Sequence, residues 1–230
     1  MRSPERLALV LGVLCLATLV LLEGRPYFTT FSIPQRGIRD PQVALQMARS
    51  VAEVDAILSD APSPDREAMR LKQYIDFAFI ASYAALFVVL GRALMAVARW
   101  AWLVGVFGAL AAFHDVREDI DILRLLDTPL DATTQQMISH LHLMSVSKWS
   151  FAAAAIALLG AFTMAGRRWY LKLIGAVDLL AAALVLWGLI DNPVLVWAGA
   201  PLAAGMIANA ATLKFLIHEP ASRNPVPRSV

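Results

Sequence analysis

The sequence predicts an all-α fold, an integral membrane bundle of six transmembrane helices with an amphipathic helix in the first extracytoplasmic loop. Its 230 residues are 59% hydrophobic and 17% charged, whereas soluble domains average about 45–50% apolar residues. The mean hydropathy is +0.62. Six apolar stretches occur along the chain, each close to the roughly 20 residues that a helix needs to cross about 30 Å of hydrocarbon.

These stretches define the predicted transmembrane spans, at about residues 7–23, 75–97, 100–120, 147–165, 171–190 and 194–217. Residues 1–218 then form a single six-helix transmembrane domain, in which 24–73 supply an outer-face loop and helix. Residues 219–230 contain three prolines and should form a disordered cytoplasmic tail. Arg2 and Arg6 precede the first stretch as in a signal peptide, but no small-x-small cleavage site follows, so we expect an uncleaved span.

Four helix starts are encoded by a capping side chain followed by proline. The pairs are Asp40-Pro41, Ser63-Pro64, Thr128-Pro129 and Asn192-Pro193. After the first pair, apolar residues recur at helical spacing, which predicts an amphipathic helix over residues 41 to about 59. The helix that begins at Pro64 should continue into the second span, and the helix that begins at Pro129 into the fourth.

Small residues four apart in the sequence predict close packing between helices. The pairs are Gly105 with Ala109, Gly108 with Ala112, and Gly199 with Ala203. We expect these positions to serve packing and not to bind a cofactor.

The basic residues of the short loops predict the orientation, because such residues accumulate on the cytoplasmic side. Loop arginines and lysines fall on the side of both termini, whereas residues 115–131 carry six acidic residues and two arginines. We therefore expect a multi-pass protein of the bacterial inner membrane with both termini cytoplasmic. Membrane lipids are the expected partners, and a second copy or another membrane protein remains open. The chain has no basic stripe interleaved with aromatic residues, so nucleic acid is not an expected partner.

Ionisable groups inside a membrane span are costly, which makes them the candidate functional residues. A rise of about 1.5 Å per residue places a set of polar side chains in the outer half of the membrane, from Tyr83 and His114 up to the outer level of Asp76 and Lys148, about two turns higher. The members are Asp76, Tyr83, His114, Asp115, Glu118 and Lys148. Asp119 and Asp121 are expected beyond this level, in a solvated loop. Asp178 and Asn209 lie at equal depth in the inner half, where they form either a structural tie or a station of a proton path.

Two functions without catalysis are compatible with the outer polar side chains. In a structural or accessory role, Asp76 pairs with Lys148, and Tyr83 hydrogen-bonds to His114 or Asp115, so that helices are held in register without chemistry. In a proton- or cation-coupled small-solute carrier, the carboxylates bind the ion. The sequence favours the structural role, because the inner half offers few groups to continue a path.

A third function is a membrane-embedded, metal-dependent hydrolase or transferase that uses His114, His140 and His142 as zinc ligands. His140 and His142 are two residues apart, which directs them to different sides of a helix. The sequence has none of the spaced histidine motifs of metalloenzymes, and its single cysteine excludes a cysteine-based metal knuckle. The residues therefore favour a protein without a cofactor and without enzymatic activity.

The string DFAFIASY, from Asp76 to Tyr83, is followed by a helix rich in small residues that ends in Asp115-Val116-Arg117-Glu118. This arrangement resembles a family of small, uncharacterised polytopic bacterial membrane proteins with an Asp-x-x-Phe-Ile-x-x-Tyr pattern and Asp-x-x-Glu-Asn after the third helix. Here Asp119 stands where the asparagine would be, and His114 precedes the motif. The resemblance implies a shared polar site in the outer leaflet and transfers no activity.

Overall fold

In a computed structural model, the described residues are 3–24, 36–59 and 63–218. They form eight α-helices: α1 (Pro4–Gly24), α2 (Pro41–Gln46), α3 (Val51–Leu58), α4 (Pro64–Leu94), α5 (Trp102–Asp127), α6 (Gln135–Met164), α7 (Trp169–Gly188) and α8 (Pro193–His218). Two 3-10 turns, Arg99–Ala101 and Leu130–Ala132, precede α5 and α6. The predicted tail, 219–230, and part of the predicted outer loop lie outside the described residues.

Five of these helices, α1, α4, α6, α7 and α8, are long and apolar enough to cross a membrane. The all-helical class is thus confirmed for the described residues, and the five helices indicate a multi-pass membrane protein. The third predicted span lies in α5, which is not among the five. An apolar first half of α5 runs to Phe113, but charged residues follow it and the helix continues to Asp127.

The six long helices form a closed ring in which each packs on its neighbours. From α4 to α8 each helix packs on the next in chain order, and α1 closes the ring between α8 and α4. Glycines permit the closest approaches, since a Cβ on Gly91 of α4 would lie 2.7 Å from the backbone nitrogen of Gly105 of α5. The packing predicted for Gly105 is therefore present. Gly199 of α8 differs, because a Cβ there would meet no atom within 4 Å.

The short helices α2 and α3 lie at one end of this ring, which we call the capped end. Asp40 Oδ1 accepts a hydrogen bond from the Val43 amide at 2.8 Å and begins α2 as predicted. The prediction of one helix over 41 to about 59 is wrong, because the chain leaves the helical path after Met47. The hydroxyl of Ser50 then accepts from the Glu53 amide at 3.3 Å and begins α3 as a separate helix.

Two of the remaining proline-based starts are confirmed and one is wrong. α4 begins at Pro64 and α8 at Pro193, as predicted. Pro129 begins only a 3-10 turn, and the backbone then extends through Thr133. The hydroxyl of Thr134 accepts from the Met137 amide at 3.3 Å, so the capping side chain that begins α6 lies five residues after Pro129.

Arg66 joins α4 to the carboxyl end of α5 at the capped end. It is fully buried, and its Nε donates to the carbonyl of Ser59 at 3.0 Å. Its Nη1 lies within hydrogen-bond distance of the carbonyls of Leu125, Leu126 and Thr128, at 3.2, 2.9 and 3.0 Å. The last carbonyls of a helix have no partner within the helix, and a cation there also matches the negative end of the helix dipole. Arg66 therefore fixes where α5 ends.

We expect Arg66→Met to lower the free energy of unfolding by about 2–5 kcal/mol, because buried carbonyls lose their donor. The measurement is thermal unfolding of the purified protein in detergent, followed by tryptophan fluorescence. Arg124→Met is the matched control, since Arg124 is 64% exposed and contacts Asp121 at 3.5 Å; exposed pairs of this kind contribute about 0–1 kcal/mol. Equal melting temperatures for the two variants would contradict the role given to Arg66.

Candidate functional site

Five buried charged side chains meet between α4, α5 and α6, directly below α2. They are Asp76, Asp115, Glu118, Asp119 and Lys148, each at most 7% exposed, and we call them the acidic cluster. Three of the carboxylates come from α5, where spacings of three and four residues place them on one face of the helix. The cluster holds four acidic side chains and a single basic one.

Lys148 of α6 pairs with two carboxylates of α5. Its Nζ donates to Asp115 Oδ1 at 2.9 Å and to Glu118 Oε1 at 2.7 Å. The hydroxyl of Tyr83 on α4 donates to Asp115 Oδ2 at 2.8 Å. The expected partner of Lys148 was Asp76, so the ion pairs differ from the prediction, whereas Tyr83 takes one of its two expected partners. These bonds fix α4, α5 and α6 relative to one another.

Two glutamines of α2 cover the acidic cluster. Gln42 Nε2 donates to Asp76 Oδ2 at 2.9 Å, and Gln46 Nε2 donates to Glu118 Oε1 at 2.7 Å. The indole nitrogen of Trp149 lies 3.4 Å from Gln46 Oε1. The sequence reasoning missed both glutamines. Their spacing of four residues is visible in the sequence. The rise per residue gives a depth only within a predicted membrane span, however, so it gave no position for residues of a helix in a loop.

Asp119 lies inside the cluster and not in a solvated loop, so the expectation for this residue is wrong. Its side chain is fully buried, because α5 continues to Asp127. Among the described residues, neither of its carboxylate oxygens has a hydrogen-bond partner. A buried charge without a partner is very costly, so Asp119 requires a proton or a cation.

A cavity of about 450 Å³ adjoins the cluster. The cluster residues Asp76, Asp115 and Lys148 lie at its polar end, together with the two glutamines of α2. Apolar side chains of α1, α4 and α8 form most of the remaining wall, among them Leu22, Phe79, Phe87, Leu202 and Met206. Gly199 and Ala203 also border this space, so the predicted packing pair of α8 lines a cavity.

A second polar group joins α6, α7 and α8 further from the capped end. Asn209 Nδ2 donates to Asp178 Oδ2 at 2.7 Å, and the Thr163 hydroxyl donates to Asn209 Oδ1 at 2.6 Å. The structure thus brings the two predicted residues together and adds Thr163, which the sequence reasoning missed. Gly205 lies against Asp178, and a Cβ there would overlap Asp178 Oδ1. Met206, three residues before Asn209 on α8, lines the cavity.

The three histidines proposed as zinc ligands have separate polar partners. These are the carbonyl of Leu110 for His114 at 2.8 Å, the Asp121 carboxylate for His140 at 2.7 Å, and the carbonyl of Gln46 for His142 at 3.4 Å. The ring of His114 also packs against Phe151. Among the described residues, the metal-ligating groups found to converge belong to the acidic cluster.

No protein-family model, curated protein or solved structure matches this chain. The fold and the site therefore define the class of protein by themselves. It is a helical, multi-pass membrane protein with a buried acidic cluster beside an apolar cavity.

We expect Lys148→Met to lower the free energy of unfolding by about 3–5 kcal/mol, because it leaves two buried carboxylates without their counter-charge. Adding Asp115→Asn and Glu118→Gln should recover part of this loss, since the triple variant removes the uncompensated charges. Melting temperatures of the purified variants provide the measurement. Lys172→Met is the control, since Lys172 is exposed. A Lys148→Met protein that melts with the control would show that the two ion pairs contribute little.

Proposed function

We propose that the protein is a carrier for a small cationic amphiphile, which occupies the cavity below α2 while the acidic cluster takes up a proton or a cation. The proposal rests on one observation, which is that the acidic cluster borders the cavity. Asp76, Asp115 and Lys148 belong both to the cluster and to the wall of this cavity of about 450 Å³. Small-molecule sites commonly have volumes of about 300–1,000 Å³ and combine apolar walls with a few polar groups.

The charges at the polar end favour a cationic head group. Lys148 is matched by Asp115 and Glu118, which leaves the carboxylates of Asp76 and Asp119 without a basic partner in the cluster. A positive ligand would reduce this excess, whereas an anion would add to it. Aromatic side chains at the cavity also favour a cation, since its attraction to a ring face contributes about 0.5–2 kcal/mol.

The apolar wall favours a ligand with an apolar body. Leu22 of α1, Phe79 of α4 and Met206 of α8 all face the cavity. Filling it would transfer apolar ligand surface out of water and restore contacts that a void lacks. The structural role favoured by the sequence accounts for the pairs of Lys148 and for the tie at Asp178, but it gives no reason for this space.

We further infer six membrane crossings in the bacterial inner membrane, with both termini cytoplasmic. Glu5 Oε1 at the start of α1 lies 2.8 Å from His218 Nε2 at the end of α8. Two chain ends on the same side require an even number of crossings, which supports α5 as the sixth. Arg99, Arg167 and Arg168 lie in the connections at that same end, and arginines in short loops favour the cytoplasmic side.

Uptake of octyltrimethylammonium into vesicles that contain the purified protein tests the carrier proposal. We expect saturable uptake by the natural protein and at least about a tenfold loss of uptake, or 1.4 kcal/mol, in Ala203→Phe, whose ring would fill the cavity. Ala183→Phe is the matched control, because Ala183 on α7 is exposed. Both variants should keep the natural melting temperature. Uptake equal to that of empty vesicles, or uptake that is insensitive to Ala203→Phe, would contradict the proposal.

Labelling with a membrane-impermeant maleimide tests the orientation. In a Cys15→Ser background, we expect Asp131→Cys, between α5 and α6, to react in intact cells. Arg167→Cys, between α6 and α7, should react only after the cells are opened. Both positions are exposed at the protein surface, so accessibility should depend on the side of the membrane. The reverse pattern would place the termini outside.

A further inference from the structure

We propose that Asp76, Asp115 and Asp119 form a binding site for a hard divalent cation of the Ca²⁺ type. Each residue offers one carboxylate oxygen, and these three oxygens lie within 4.8 Å of one another. The residues come from two packed helices, Asp76 from α4 and the other two from successive turns of α5. The site would therefore form on rigid elements and not on a loop.

The separation of the oxygens fits a calcium-sized ion. Ca²⁺ binds oxygen ligands at about 2.3–2.6 Å, so ligands on opposite sides of the ion lie about 4.6–5.2 Å apart. Ligands at smaller angles around the ion are closer together. Three oxygens within 4.8 Å of one another can therefore approach one ion through small side-chain adjustments on helices that keep their positions.

Asp119 provides the second and independent observation that points to a ligand. Its side chain has no exposed surface. Neither of its carboxylate oxygens has a hydrogen-bond partner among the described residues, yet one of them lies beside the oxygens of Asp76 and Asp115. Buried polar groups nearly always have a partner, and a paired or metal-bound state is the usual condition of a buried carboxylate. A cation at this point would supply the missing partner.

The other two carboxylates can accept an ion without losing their present hydrogen bonds. Asp115 accepts from Lys148 and Tyr83, one at each oxygen, and Asp76 accepts from Gln42 through one oxygen. A carboxylate has about four lone-pair positions, so each retains positions for a metal. Partners of this kind orient the ligands of metal sites and strengthen binding.

The net negative charge of the acidic cluster is better neutralised by a divalent ion than by a second lysine. One lysine balances one of the four carboxylates, and a divalent ion would balance two more. The remaining negative charge is still available to the cationic solute proposed above. Because the three oxygens are present whether or not a solute is bound, the cation site does not depend on that function.

Calcium binding to the purified protein, by equilibrium dialysis with radioactive Ca²⁺ at neutral pH, tests the site directly. We expect one ion per chain, with competition by Mn²⁺, and binding at least about tenfold weaker in Asp119→Asn. Asp131→Asn is the matched control, because Asp131 is an exposed aspartate at the same end of the bundle. Ala203→Phe should bind Ca²⁺ as the natural protein does, so that failure of the solute proposal and failure of the cation proposal are distinguishable.

The melting temperature gives a second measurement that a purely structural aspartate would not reproduce. In the presence of a chelator, Asp119→Asn should have a higher melting temperature than the natural protein, because the substitution removes an uncompensated buried charge. In excess Ca²⁺ the order should reverse, since the natural protein gains the ion and the variant does not. No Ca²⁺ binding by the natural protein, or an Asp119→Asn protein that melts higher at every Ca²⁺ concentration, would overturn the proposal and indicate that a proton neutralises Asp119.

Discussion

The ion pairs between Lys148 and α5 are the interaction on which this end of the molecule depends. A charge buried among helices is tolerated only when an opposite charge and hydrogen bonds match it. Lys148 therefore sets the rotation and height of α6 against α5, because its Nζ must reach both Asp115 and Glu118. Tyr83 attaches α4 to the same Asp115, and Gln46 attaches α2 to the same Glu118.

The two polar groups of the bundle differ in their hydrogen bonding and in their charge. Around Asp178, the Asn209 amide donates to the carboxylate, the Thr163 hydroxyl donates to the Asn209 amide oxygen, and Gly205 allows α8 to approach closely. Neutral donors of this kind tie helices together without further charge. Asp178 is a single carboxylate, with one oxygen that has no hydrogen-bond partner among the described residues. The acidic cluster brings four carboxylates to one lysine, and within the described part of the chain neither oxygen of Asp119 has such a partner. An excess of buried charge is an expensive way to join helices, so it favours a bound ion or proton over a purely structural role.

Regular helix geometry made part of this site predictable from the sequence. A constant rise per residue placed Tyr83 level with His114 and Asp115 just above it, and the structure brings Tyr83 and Asp115 into contact. The depth estimate was wrong for Asp119, because this residue lies at the end of a predicted span that stopped near residue 120. The helix instead continues to Asp127 beneath α2 and α3. A carboxylate that lies beyond the apolar stretch in sequence is still buried when other elements cover it.

A capping residue followed by proline predicted a helix start correctly only where no second capping residue lay close by. Ser63-Pro64 begins α4, but Thr128-Pro129 does not begin α6, because Thr134 offers a cap nearer to the helix. Spacing of small residues had the same weakness. The glycine at 105 packs against α4, and Gly199, in an equivalent pattern, borders a cavity. A spacing identifies a face of a helix, and only the neighbouring helices decide what lies against that face.

The positions of the charges on α5 explain how a helix with a charged second half can pack inside the bundle. The three carboxylates that α5 contributes to the acidic cluster are buried against α4 and α6, whereas Phe113 is 61% exposed on the outer surface. Composition counts charges without regard to the face that carries them, but the cost of a charge in lipid depends on whether it faces lipid or a partner. The contact between Glu5 and His218 at one end of the bundle favours an even number of crossings, and inward-facing carboxylates on α5 are compatible with the sixth crossing proposed above. The acidic cluster and the proposed topology therefore depend on the same fact: the three carboxylates that α5 contributes to the cluster point inward, where Lys148 and a bound cation would balance them.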